Sequence, residues 1–186
     1  MKIIDTPIKG VHLIETAPVR DNRGSFARAF CMRELAPLLG GRAIAQVNHS
    51  KNAEVGTVRG MHFQRPPHTE MKFVRCVRGR IWDVALDLRA GSPTFLRWHA
   101  EELTEGGMNM LCIPEGCAHG VQALEPGAEF LYFNTAFYAP EAEGGIRFDD
   151  PACAIAWPLP VTRLSEKDAA IPLLQPGFEG LAGWRA

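Results

Sequence analysis

An all-β sandwich or barrel is the fold class this sequence predicts, and three observations point to it. Short apolar or alternating runs recur between turn signals at roughly 8–12-residue intervals. The turns carry clusters such as Asp21-Asn22-Arg23-Gly24, Arg78-Gly79-Arg80, Gly91-Ser92-Pro93 and Pro114-Glu115-Gly116. Only two short stretches, residues 32–39 and 165–170, have a helical pattern.

Taken in order, residues 11–15 form a short strand. A second, 25–30, follows the turn at Asp21–Gly24. Residues 32–39 have helical spacing, weakened by Pro37 and stopped by Gly40-Gly41. Strands are expected at 43–48, 57–63 and 71–77, with a polar loop at 51–56 between the first two. The 81–88 strand alternates only partly, because Asp83 and Asp87 bracket an apolar run. Strands 95–103 and 108–113 flank the hairpin signal Glu105-Gly106-Gly107. Strands 120–124 and 130–135 complete the set, and the Pro-rich remainder holds a short helix near 165–170. No repeat or linker interrupts the pattern, so one domain is expected over 1–186, its barrel core at about 56–135. The first fifty residues are read as strands that extend a sheet, in a neighbouring subunit if they cover its edge.

Composition narrows the function. Of 186 residues, 46% are apolar and 22% charged, the balance of a globular protein. A net charge of −1 gives no electrostatic footprint for nucleic acid or an anionic membrane. No apolar run reaches the roughly 18 residues of a membrane span, and the start lacks a secretory h-region, so a cytoplasmic location is expected. The five cysteines form no CxxC pair, which argues for reduced thiols over disulfides or a Cys-based zinc site.

The densest chemistry lies at residues 59–74. Arg59, His62 and Lys72 fall within fourteen residues, on two strands joined by a proline loop. Strand alternation puts Gly60, His62 and Gln64 on one face and Met61 and Phe63 on the other. A His opposite an apolar face, near a Lys, suits proton transfer beside a developing negative charge.

These residues, with others in the same order, resemble a known family. Asp21-Asn22-Arg23-Gly24-Ser25-Phe26, Gln46-Val47-Asn48, Arg59-Gly60-Met61-His62-Phe63-Gln64 and Lys72 are similar to the dTDP-4-dehydrorhamnose 3,5-epimerases. So are Val84-Ala85-Leu86-Asp87-Leu88-Arg89, Pro114-Glu115-Gly116-Cys117-Ala118-His119-Gly120, Phe130-Leu131-Tyr132, Tyr138-Ala139-Pro140 and Leu164-Ser165-Glu166-Lys167-Asp168. The resemblance implies a cupin-type jelly roll with a few short helices, a homodimer with exchanged N-terminal strands, and no metal or organic cofactor. It implies epimerisation at C3, C5 or both of a nucleotide-diphospho-4-keto-6-deoxyhexose, with dTDP as the expected nucleotide.

The resemblance also implies roles. His62 matches the base, and an imidazole titrating near pH 6.5 before perturbation can accept a proton at neutral pH. Asp168 matches the carboxylate that orients it, Lys72 the cation at the enolate oxygen, and Tyr132 the acid on the far face. Arg23 and Arg59 match diphosphate contacts. Gln46, Asn48 and His119 match polar pocket residues, and Phe26 and Tyr138 the aromatic walls about the base. Arg28 stands where the family usually has Glu. Its donors cannot pair with the thymine N3–H but suit the acceptor edge of cytosine. On residues alone, Tyr132 reads as core, Lys72 as solvated, and Asp168 as part of a Ser165-to-Asp168 capping box. Rival readings are a metal-dependent cupin using His62, His68, Glu70 and His119, a non-catalytic sugar-nucleotide binder, and a single-site epimerase on a CDP or GDP sugar. Gln64 counts against the metal reading, because metal cupins usually have a second His there.

Overall fold

The computed structural model describes residues 1–184. Its strands are β1 (Lys2–Asp5), β2 (His12–Glu15), β3 (Val19–Asp21), β4 (Gly24–Phe26), β5 (Gln46–Asn52), β6 (Val58–Gln64) and β7 (Lys72–Arg78). They continue with β8 (Arg80–Asp87), β9 (Trp98–Thr104), β10 (Met110–Ile113), β11 (Cys117–Ala123), β12 (Ala128–Asn134) and β13 (Glu143–Gly145). The helices α1 (Ala36–Leu39) and α2 (Glu166–Ala169) are each one turn long.

Two antiparallel sheets form the body. One is ordered β1-β2-β10-β7-β12-β5 and the other β13-β6-β11-β8-β9, while β3 and β4 make a separate ribbon. Sequence neighbours are rarely sheet neighbours, and the result is the jelly-roll barrel expected from the sequence. Among the described residues no helix is long and apolar enough to cross a membrane.

Period-two alternation sorts the side chains into layers. Val74, Cys76, Phe130, Val121, Ala123, Ile81 and Ala85 meet between the sheets. Met61, Phe63, Val84, Leu86 and Ala118 point out of the five-stranded sheet, where Ile146, Ile155, Trp157 and Phe178 from the C-terminal segment cover them. Phe73, Met110 and Cys112 point out of the other sheet, under Phe30, Leu35 and Leu39. The central strands are therefore covered on both faces, which explains why β7, β8, β10 and β11 are buried along nearly their whole length.

Several boundaries differ from the sequence reading. The 25–30 strand stops at Phe26, because Phe30 turns in to stack on Phe133 with ring centroids 5.1 Å apart. The helix begins at Ala36, with Pro37 in its first turn where a missing N–H costs nothing. β5 is displaced to Gln46–Asn52 and absorbs part of the expected loop, since pairing with β12 from Ala128 to Asn134 extends it. Residues 95–97 form a turn before β9, and β11 begins at Cys117, ahead of the expected start at 120. The short strands β1, β3 and β13 carry no alternation long enough to be read.

β1 pairs with β2, and β2 with β10 of the same chain. The first fifty residues thus divide in two: β1–β2 complete a sheet edge here, and β3–β4 stand away from both sheets.

Candidate active site

The inward columns of the two sheets bring distant residues together. From the six-stranded sheet come Gln46, Asn48 and Ser50 of β5, Lys72 of β7, and Tyr132 and Asn134 of β12. From the opposite sheet come His62 of β6 and His119 of β11, directly paired across the strands. One cavity of about 420 Å³ is lined by Arg59, His62, Lys72, His119, Tyr132 and Asp168 among others. An adjoining one of about 390 Å³ is lined by Gln46, Asn48, Glu70, Asn134, Tyr138 and Glu143. His62, Lys72 and Tyr132 border both, so the two cavities form one cleft with those three residues at its waist.

Arg59 and His62 are three residues apart, which on a regular strand would put them on opposite faces. The register slips: His119 pairs with His62 while Val121 pairs with Arg59, so β6 carries one extra residue and both side chains reach the cleft. Gly60 makes this possible. Its φ is 116°, and a Cβ there would stand 2.6 Å from Gly120 Cα and from the His119 carbonyl oxygen.

His62 Nε2 lies 2.6 Å from Asp168 Oδ1. Asp168 is buried, accepts the Gly60 N–H at 3.3 Å, and sits one turn after Ser165, whose hydroxyl accepts the Asp168 N–H at 3.0 Å. The expected capping box is half formed: Ser165 caps the helix, while the Asp168 carboxylate goes to His62 and the Gly60 N–H, so the cap fixes the helix start and the helix presents the carboxylate. Burial pushes the Asp168 carboxyl up, but the hydrogen bonds from His62 and Gly60 outweigh it and hold the group below the usual carboxylate range.

A second pair has the same form, with His119 Nε2 2.7 Å from Asp83 Oδ1. Asp83 is fully buried and its Oδ2 has no partner among the described residues. Burial raises this carboxyl above the usual range, against the pull of His119. With both histidines engaged by aspartates, no group of three His, Cys, Asp or Glu side chains among the described residues is arranged to hold a metal ion.

Lys72 is buried, against the solvated reading, and its Nζ is 3.2 Å from Glu70 Oε1. Tyr132 is half-buried against Phe130, and burial raises its phenol pKa. Arg59 donates to Asn52 Oδ1 at 2.7 Å at the cleft's edge. At the opposite end the Tyr138 hydroxyl donates to Glu143, which also meets Lys167 at 2.5 Å.

The structure brings nine of the twelve residues expected at the site to this cleft: His62, Lys72, Tyr132, Asp168, Arg59, His119, Gln46, Asn48 and Tyr138. Arg23, Phe26 and Arg28 are not among them. Arg23 and Phe26 lie exposed on the β3–β4 ribbon, and Arg28 just beyond it is bound to Glu34. Sequence reasoning gave no site role to Asp83, Glu143 or Lys167, and named Glu70 only as a ligand in the rival metal reading, where the structure instead pairs it with Lys72. A larger cavity of about 460 Å³, lined by Lys9, Arg42, Arg89 and Trp184 among others, contains none of the expected residues. Its arginines are committed to Glu115 and Asp87 at 2.7 and 2.8 Å.

The chain is similar to known proteins over most of its length. A family model described as dTDP-4-dehydrorhamnose 3,5-epimerase matches residues 5–176. A dTDP-4-dehydrorhamnose 3,5-epimerase of Salmonella typhimurium is 42% identical over 176 residues, covering 94% of this chain and 96% of the relative. Among solved structures, dTDP-6-deoxy-D-glucose-3,5-epimerase RmlC from Legionella pneumophila, in complex with dTDP-4-keto-L-rhamnose, superposes with a TM-score of 0.89 at 36% identity, covering 98% of each chain. ChmJ, a 3'-monoepimerase from Streptomyces bikiniensis in complex with dTDP-quinovose, gives a TM-score of 0.85 at 29% identity, covering 91% of this chain and 86% of that one.

Proposed function

The chain belongs to the dTDP-4-dehydrorhamnose 3,5-epimerase family, and from that premise we propose how its cleft epimerises a dTDP-4-keto-6-deoxyhexose. The ketone at C4 acidifies the protons on C3 and C5. His62, aligned by Asp168, removes one of them. The C4 oxygen takes up the negative charge beside the Lys72 ammonium, in a cleft where burial strengthens that attraction. Tyr132 returns a proton from the other side. The observation that carries this reading is the placement of the pair: His62 and Tyr132 stand on different sheets and border one cleft, so a sugar ring between them presents opposite faces to base and acid. A binding module has no need of that arrangement.

The diphosphate is expected near Arg59 and the base near Tyr138, with Gln46, Asn48 and His119 as polar contacts. Arg28 is expected to stay with Glu34, its own-chain carboxylate, leaving the base to stack on aromatic rings. Thymidine therefore remains the expected nucleoside.

The assembly proposed is a homodimer. The β3–β4 ribbon carries Val19 and Phe26, 68% and 76% exposed, on directly paired positions. β5 ends its sheet and bears the exposed Val47. A ribbon laid along a partner's β5 would cover that edge and bring Arg23 and Phe26 toward the partner's cleft.

Incubating the enzyme with dTDP-4-keto-6-deoxy-D-glucose in D2O and reading C3 and C5 by NMR tests activity and regiochemistry together. Deuterium at both carbons supports the 3,5-epimerase reading. Label at C3 alone would make it a monoepimerase, and no label at either carbon overturns the proposal.

A further inference from the structure

We infer that Glu70 is a positioning residue for the reaction, acting through Lys72; the inference rests on the role proposed for that lysine. Glu70 lies two residues before Lys72, on the loop that enters β7. Its side chain is 9% exposed and that of Lys72 10%, and Glu70 Oε1 stands 3.2 Å from Lys72 Nζ. The second carboxylate oxygen is also engaged, accepting from Asn134 Nδ2 at 2.6 Å. Asn134 pairs directly with Lys72 in the sheet, and its Oδ1 accepts from Asn48 Nδ2 at 3.4 Å. Glu70, Lys72 and Asn134 all line the cleft that His62 and Tyr132 border.

A lysine side chain has four rotatable carbons and no preferred direction for its charge. Here two oxygens of one carboxylate do separate work. One takes the ammonium, and the other is fixed to a strand by an amide, so the carboxylate cannot swing away with its partner. Lys72 keeps two further N–H donors for a substrate oxygen. The carboxylate thus holds the ammonium in the cleft before the C4 oxygen becomes negative. Preorganisation of that kind acts on the transition state more than on binding.

Glu70→Gln tests the inference with little change in shape. Gln keeps one acceptor oxygen and puts an NH2 donor where the other stood, so either Asn134 or Lys72 then faces a donor in place of an acceptor, and the charge beside the ammonium is lost. The expected result is a fall in kcat of about tenfold to a hundredfold, with substrate KM and dTDP affinity within about twofold and an unchanged melting temperature. Glu70→Asp, which keeps the charge on a shorter stem, should recover part of the loss. Deuterium exchange in a Lys72→Met background completes the comparison: adding Glu70→Gln there should cost no more than about twofold further, because the residue it positions is gone. Wild-type or faster turnover in Glu70→Gln overturns the inference, as does a parallel loss of dTDP affinity and melting temperature, or a full additional loss in the Lys72→Met background. If Lys72→Met falls below detection, the kcat-against-KM split in Glu70→Gln decides. If Lys72→Met itself turns over normally, the proposed role of Lys72 is what has failed.

Discussion

At His62 the imidazole is held by a carboxylate that a helix cap, a backbone N–H and burial all constrain. Replacing it with Ala should abolish deuterium exchange at both carbons, since the side chain of the other histidine of the cleft, His119, is only 9% exposed against 31% for His62. Exchange at near wild-type rate in that variant would remove His62 from its role. Tyr132→Phe should exchange but not invert, because His62 and Lys72 still form the enolate while the far-side donor is lost. Equal loss of both would argue against the division. The raised phenol pKa has a sign: burial makes Tyr132 give up its proton at a higher pH than an ordinary phenol, so any basic limit it sets on inversion lies higher than that of a free tyrosine. For Asp168 the sign is opposite. A carboxyl lowered in the folded protein contributes stability that is present above its unfolded value of about 3.9 and is lost as pH falls through the folded one. The melting-temperature gap between wild type and Asp168→Asn should therefore narrow below about pH 4, and a constant gap would show that the ionised pair is not its source. His62, Lys72, Tyr132 and Asp168 could be read from motifs kept in order. The pairing of His62 with Asp168, 106 residues apart, came with the resemblance, whereas the partnerships of Glu70 with Lys72 and of Asp83 with His119 exist only as contacts and could not be read.

Among the elements, legibility followed the amount of alternating sequence. β6, β7, β8 and β12 were read to within a few residues because each has seven or eight positions and a buried face. β13 is Glu-Gly-Gly and has no pattern, and it is a strand only because β6 supplies its partner. The start of β11 at Cys117 was hidden because every one of its residues is buried, which erases the alternation. The slip in β6 was equally invisible, although Gly60 marks where it falls. Gly60→Ala puts a methyl into the His119 carbonyl and Gly120 Cα at 2.6 Å in a backbone conformation that L side chains rarely adopt. A loss of about 2 kcal/mol or more in denaturant unfolding is expected, with activity falling further than stability as Arg59 and His62 lose their common face. Ser165→Ala should cost about 1 kcal/mol of stability through the lost cap, with a drop in kcat because the cap also sets Asp168. An unchanged kcat would separate the cap from the catalytic pair.

At the scale of the whole molecule the buried thiols and the exposed ribbon give contrasting expectations. Burial pushes Cys76 and Cys153 up to about 11 and Cys117 up to about 12, and Cys112 is driven higher still. Cys31 alone is partly exposed. A thiol reagent at pH 8 should label one cysteine in the native protein and five after unfolding. The ribbon is the reverse case, with Val19 and Phe26 left uncovered by the described residues. Deleting the residues before Asn48 would not isolate its contribution, because Ile8, Val11, Ile14, Leu35 and Leu39 lie in the cores and would go with it. Val19→Ser with Phe26→Ser removes only exposed apolar surface. If the ribbon covers a partner's β5, this variant should elute as a monomer where the wild type elutes as a dimer. It should also bind dTDP about tenfold more weakly, a cost of about 1.4 kcal/mol, since Arg23 would no longer reach the neighbouring cleft and the Phe26 ring is gone from it. The two effects are expected to appear together, because one contact causes both. A wild-type protein that is monomeric at working concentration and fully active would overturn the shared-cleft assembly, and a variant that stays dimeric with unchanged dTDP affinity would move the interface elsewhere.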